Sequence, residues 1–86
     1  MTEPSTKRDA AVLNIAANVR SALAWKNIKE RAAAAQIGMT QPAMSRRLNG
    51  EVPFDGADLV LLADLIGITP GHLVDGEPWP RVMPAA

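Results

Sequence analysis

Gly38-Met39-Thr40-Gln41-Pro42-Ala43-Met44-Ser45-Arg46-Arg47-Leu48-Asn49-Gly50 places a short helix with polar and cationic side chains immediately after a glycine turn. Gly38 can take the left-handed conformation that ends a preceding helix, and Thr40 can cap the next one because its hydroxyl accepts from a first-turn amide. Pro42 is tolerated here because first-turn amides have no partner inside the helix. Met44 and Leu48, four residues apart, point to the same side and into a core. Gln41, Pro42, Ser45, Arg46 and Asn49 then occupy the outward face. Upstream, Ile28 to Ile37 reads as an Ala-rich helix, so the segment predicts two helices joined by a tight glycine turn. Such a helix-turn-helix presents its second helix to the DNA major groove.

Working outward, Ser5 or Thr6 can cap a first helix whose buried stripe is Val12, Ile15, Ala16, Val19 and Leu23. That helix is expected to end near Trp25. Asn27 either closes it in a left-handed conformation or caps the next helix, with Glu30 completing a capping box. The block Ala32 to Ala35 lacks bulk, which lets the following helix approach closely. Beyond the central segment, Gly50 to Pro53 reads as a turn and Asp55 as a cap, with a fourth helix over Gly56 to Ile66 stopped by Gly67. Thr69-Pro70 starts a short fifth helix ending near Val74. Three prolines and no periodicity follow Gly76, which predicts an extended or disordered tail.

Composition agrees with one small all-α domain. A chain of 86 residues can hide only about two-thirds of its unfolded surface, enough for one core and not two. Ala supplies 15 of the 41 hydrophobic residues and only three are aromatic, which suits closely packed helices better than a sheet. There is no cysteine, which excludes disulfides, thiolate metal sites and cysteine nucleophiles. No apolar run approaches the ~18 residues of a membrane span, and Met1 to Ala10 has no signal-peptide core. A soluble protein of the cytoplasm is expected.

The formal net charge is zero, which taken alone argues against a nucleic-acid partner. Its distribution argues the other way. Residues 1 to 49 hold eight basic groups against three acidic, a balance of +5, and residues 50 to 86 hold one basic group against six acidic, a balance of −5. The basic half contains the candidate recognition helix, so the two ends carry opposite fields. The plainer alternative is a pair of ordinary solvated faces.

At Val19-Arg20, Ala33-Ala34, Gly38, Thr40-Gln41, Ser45-Arg46 and Gly50 the chain resembles the Cro/repressor-type (lambda-repressor-like, XRE) helix-turn-helix domains of phages and bacteria. The resemblance continues through Leu59 to Ala63, Gly67-Ile68-Thr69-Pro70 and Leu73, roughly three-quarters of the chain. It implies a bundle of five short helices, with helices 2 and 3 forming the motif, that binds an operator as a phage Cro or short immunity repressor does. The base-reading set would be Gln41, Pro42, Ser45 and Arg46. A Gln41 amide can pair bidentately with adenine, or can merely solvate the helix start. Pro42 can touch a thymine methyl or simply stiffen the first turn. Ser45 can bond a base edge or a phosphate, and Arg46 can grip guanine.

Phosphate contacts would come from Arg20, which matches a family position that supports or contacts the DNA backbone, and from Lys29, Arg31, Thr40, Arg47 and Asn49. One departure stands out. Family members commonly carry Gln where this chain has Glu30, at the start of helix 2, and a carboxylate suits the helix dipole there but repels DNA. Lys29 is the candidate substitute.

Enzymatic readings find little support. His72 is the only histidine, Ser45 has no evident base, and no Gly-rich phosphate loop occurs. His72 is expected at an exposed helix start with no chemical role, and Asp55, Asp58 and Asp64 as caps and solvating groups. No cofactor, metal, membrane or small-molecule ligand is expected. The expected organisation is a DNA-binding domain over residues 1–76 and a Pro-rich tail over 77–86.

Helix 4 needs only Leu59, Leu62, Ala63 and Ile66 to face a core, yet Val60, Leu61 and Leu65 are apolar too. With Leu73 and Trp79, Leu61 and Leu65 are candidates for a weak homodimer stabilised on DNA. The tail folding back over its own helices is the alternative. A different class of function, an antitoxin or other protein-interaction module on the same fold, also accommodates these features.

Overall fold

Thr6 starts the first helix by accepting the Asp9 amide on its hydroxyl at 3.0 Å, in a computed structural model that describes residues 6–76. Among those residues the chain forms five helices: α1 (Lys7–Trp25), α2 (Glu30–Gln36), α3 (Gln41–Leu48), α4 (Gly56–Ile66) and α5 (Pro70–Asp75). The fold is all-α, as expected, with α2 and α3 forming the helix-turn-helix. Residues 77–86, including Trp79, lie outside the described part, as does Ser5.

Three consecutive helices end in the same way. Asn27, Gly38 and Gly50 all have positive φ (57°, 75° and 80°). In each case the amide two residues past the cap turns back to the third-last helical carbonyl: Ile28 to Leu23 at 2.8 Å, Met39 to Ala34 at 2.9 Å and Glu51 to Arg46 at 2.9 Å. This double-back satisfies carbonyls that a helix end otherwise leaves bare. It also decides the role of Asn27, which closes α1. The alternative box with Glu30 does not form, because a residue spent in the left-handed turn cannot also sit next to the first helical residue. Lys29 is the N-cap of α2 and makes no side-chain cap bond, and α2 is seven residues long, shorter than the expected span from Ile28 to Ile37.

The other starts follow local chemistry. Thr40 accepts the Ala43 amide at 3.3 Å, with Pro42 in the first turn of α3. Asp55 and Asp58 form a reciprocal capping box at 2.8 and 3.1 Å that opens α4. At α5 the expectation for His72 needs correction: the ring is half-buried in the first turn, and its Nδ1 lies 3.2 Å from the Thr69 amide that donates to it.

Met44, Leu62, Ile66, Leu73 and Val19 are the largest fully buried side chains. Ala33 and Ala34 are buried as well, and their small size brings α2 against α3. Phe54, from the turn between α3 and α4, joins this core, a residue that periodicity did not assign because it precedes the helix. α1 packs against α3, α4 and α5, so it is the common support. Leu73 is therefore not a dimer contact: it has no exposed surface, since α5 turns this side chain inward between α1 and α4. Leu65 is half-buried against the core, and Val60, Leu61 and Val74 remain about half exposed.

Candidate nucleic-acid interface

The two faces of α3 are chemically separate. Met44 and Leu48 anchor it in the core, while Gln41, Pro42, Arg46 and Asn49 are exposed and Ser45 is half-buried. Positions 42, 46 and 49 fall opposite 44 and 48 on a helix of 3.6 residues per turn, Ser45 falls at the flank, and Gln41 is exposed because it is the first residue of the helix. These side chains offer an amide, an apolar ring, a hydroxyl, a guanidinium and a second amide on one surface. That inventory matches the donors and acceptors of base edges and phosphates.

Arg46 and Arg47, adjacent in sequence, have different surroundings. Arg46 is exposed, whereas Arg47 is half-buried and turned toward α4. Its Nη1 donates to the Ala43 carbonyl at 3.0 Å, and its Nε stands 3.7 Å from Asp58 Oδ2. Asp58 thus serves both the α4 cap and α3. Nothing in the sequence pairs residues eleven apart on two helices, so this link had no local signal.

Arg20 is likewise engaged. From α1 its Nη1 donates to the Leu48 carbonyl at 2.5 Å, at the C-terminal end of α3. A parallel contact on the same stretch of α1, for which the sequence carries no direct signal, is made by Asn18, whose Nδ2 donates to the Leu73 carbonyl of α5 at 2.7 Å. The available hint was a polar residue beside the apolar positions Ala16, Val19 and Leu23.

Lys29, Arg31 and Gln41 line an open cleft of about 540 Å³ between the starts of α2 and α3, floored by Ala32 and Ala35. Glu30 lines it too, and also borders a second cleft with Arg20, Ile28 and Asn49. The first cleft therefore sets two cations against one carboxylate, the second one against one. Thr40, at the head of α3, is exposed while its hydroxyl serves the cap. Among the described residues no helix is long and apolar enough to cross a membrane, and no group of three or more His, Asp or Glu side chains could hold a metal.

No family model matches the chain, and no curated protein does. Among solved structures it is similar to the clp gene regulator ClgR from Corynebacterium glutamicum, at 17% sequence identity and a TM-score of 0.72 over 76% of this chain and 69% of that one. At that identity the likeness establishes a shared helical fold.

Proposed function

We propose that this chain is a sequence-specific transcription regulator of double-stranded DNA, a Cro-like repressor of phage or prophage type acting in the bacterial cytoplasm. The observation that carries the reading is the division of α3. The side chains that fix the helix face inward, and an exposed set of Gln41, Pro42 and Arg46, with half-buried Ser45, is left to meet base edges. Lys29 and Arg31 flank it at the first cleft, and Thr40 and Asn49 mark its two ends, which is where a phosphate backbone runs beside a helix seated in the major groove. The shared fold with a gene regulator supports this reading. Repression follows from occupying an operator and excluding polymerase.

The exposed apolar residues Val60 and Leu61 on α4 favour a weak dimer on DNA, which would set two recognition helices about 34 Å apart on a pseudo-palindromic site. The same residues also suit an antitoxin-like module, distinguished by a protein partner that raises the melting temperature in the absence of DNA. Selection from random duplexes at physiological salt tests the main reading. Enrichment of one motif is expected, with log affinity falling against log salt at a slope of roughly −4 to −6 for about five to seven phosphate contacts. Binding that is insensitive to salt, or no enrichment, sinks it.

A further inference from the structure

Three backbone amides account for three of the last four carbonyls of α3. Asn49 donates to Ser45, Glu51 to Arg46 and Gly50 to Arg47. The Leu48 carbonyl is left over, and Arg20, 28 residues away on α1, supplies its donor. A cation suits this place, where the helix dipole presents its negative end, and a charge-assisted bond is stronger than a neutral one. An eight-residue helix is too short to hold itself, so its direction is set by its anchors. At the start of α3 these are the Gly38 turn and Thr40. At its end they are Leu48 in the core, Arg47 beside Asp58 of α4, and Arg20 on the Leu48 carbonyl.

We infer that Arg20 is a positioning residue: it holds the C-terminal end of α3 so that Arg46 and Asn49 meet DNA at a set angle, and it is not a phosphate ligand. The inference rests on the DNA-binding reading above and sharpens it. The cleft that Arg20 shares with Asn49 also contains Glu30, which cancels the charge a phosphate would seek. Lys29 and Arg31 at the other cleft are better placed for that task. Without Arg20, α3 stays pinned at its start and loosens at its end. Base preference then relaxes where Arg46 reads and persists where Gln41 reads.

The test uses the full chain and Arg20→Met, which keeps a long unbranched stem and removes the donors. In the absence of DNA, hydrogen exchange at the Asn49, Gly50 and Glu51 amides should rise about ten-fold, as expected for losing one charge-assisted hydrogen bond, while α4 amides stay unchanged. On DNA, affinity for the selected site should fall about ten-fold and affinity for random duplex less than about two-fold, with the salt slope preserved. Arg20→Lys, which keeps the charge and loses the planar fork, should fall between wild type and Arg20→Met and serves if the methionine variant does not fold. Unchanged exchange at residues 49–51 overturns the inference. So does an equal loss on selected and random DNA with a slope shallower by about 0.9, the signature of one lost phosphate contact. A wild-type chain unable to tell selected from random DNA sinks the DNA-binding reading instead, and the exchange measurement still judges the contact.

Discussion

Arg47 Nε stands 3.7 Å from Asp58 Oδ2, so one arginine of the Arg46-Arg47 pair ties α3 to α4 and the other faces outward. Replacing each should therefore have opposite consequences. Arg46→Ala should weaken the selected DNA site by about 1 to 3 kcal/mol and leave stability nearly unchanged, since it removes base readout and no internal bond. Arg47→Ala should lower folding stability by about 1 kcal/mol, combining a partly buried ion pair with a hydrogen bond to the Ala43 carbonyl. Denaturant unfolding and binding titrations on both variants check this division. A large site-specific binding loss in Arg47→Ala with wild-type stability would contradict it.

Gln41→Ala should cost about 1 to 3 kcal/mol on the selected site and relax a single base position. Its side chain is exposed at the first position of α3, so the fold should not register the change. Repeating the selection with the variant is the check, and an unaltered motif would assign Gln41 to solvation alone.

Asn18→Ala leaves the Leu73 carbonyl without its side-chain donor beneath the end of α5. A lost partner at a partly buried group costs about 1 to 3 kcal/mol. The urea midpoint should drop with the slope of the transition unchanged, because the unfolded chain is the same size. A midpoint equal to wild type would mean that water replaces the amide without loss.

Gly38 and Gly50 both adopt left-handed backbone, yet their surroundings differ. A Cβ at Gly38 meets open space, whereas one at Gly50 would come within 2.4 Å of Leu13 Cδ2, the end of a partly exposed side chain that must shift. Gly38→Ala should cost about 1 to 2 kcal/mol for conformation alone. Gly50→Ala should cost more, and Leu13→Ala in the same chain should recover the difference, which a double-mutant cycle measures. Equal costs at the two glycines would show that Leu13 moves aside freely.

Leu61 and Leu73 separate self-association from folding. Leu61 is 47% exposed and Leu73 is 0% exposed. Leu61→Glu should abolish any dimer seen by sedimentation on operator DNA while the monomer melts as before. Leu73→Ala should instead destabilise the monomer by about 2 to 5 kcal/mol, the usual cost of truncating a buried leucine.

The parts of the fold legible from the sequence were those decided within a few residues. Thr6, Gly38, Thr40, Asp55 and Gly67 act on their nearest neighbours in the chain, so residue type alone announces the helix ends. The bounds of α4 and the buried faces of α3 and α4 follow from caps and periodicity, whereas on α1 the expected Val12 and Ile15 are only half-buried and Ala22 is buried in addition to the expected Ala16, Val19 and Leu23. α5 offers only six residues, too few for a stripe, and so Leu73 was assigned to a surface when it belongs to the core. The exposure of Gln41, Pro42, Arg46 and Asn49 on α3 was legible for the same local reason. What Arg20, Arg47 and Asn18 hold across helices was not, because each of these contacts joins two separate helices and depends on how they pack.

Everything that keeps α3 in place lies off its exposed surface: Thr40 ahead of it, Gly50 behind it, Met44 and Leu48 beneath, and Arg20 and Asp58 reaching in from neighbouring helices. Gln41, Pro42, Arg46 and Asn49 can thus be exchanged without disturbing an anchor. The helix is a replaceable cassette in a fixed socket: if it reads DNA as proposed, substitutions at Gln41, Pro42 and Arg46 change what it reads while the frame beneath stays as it is.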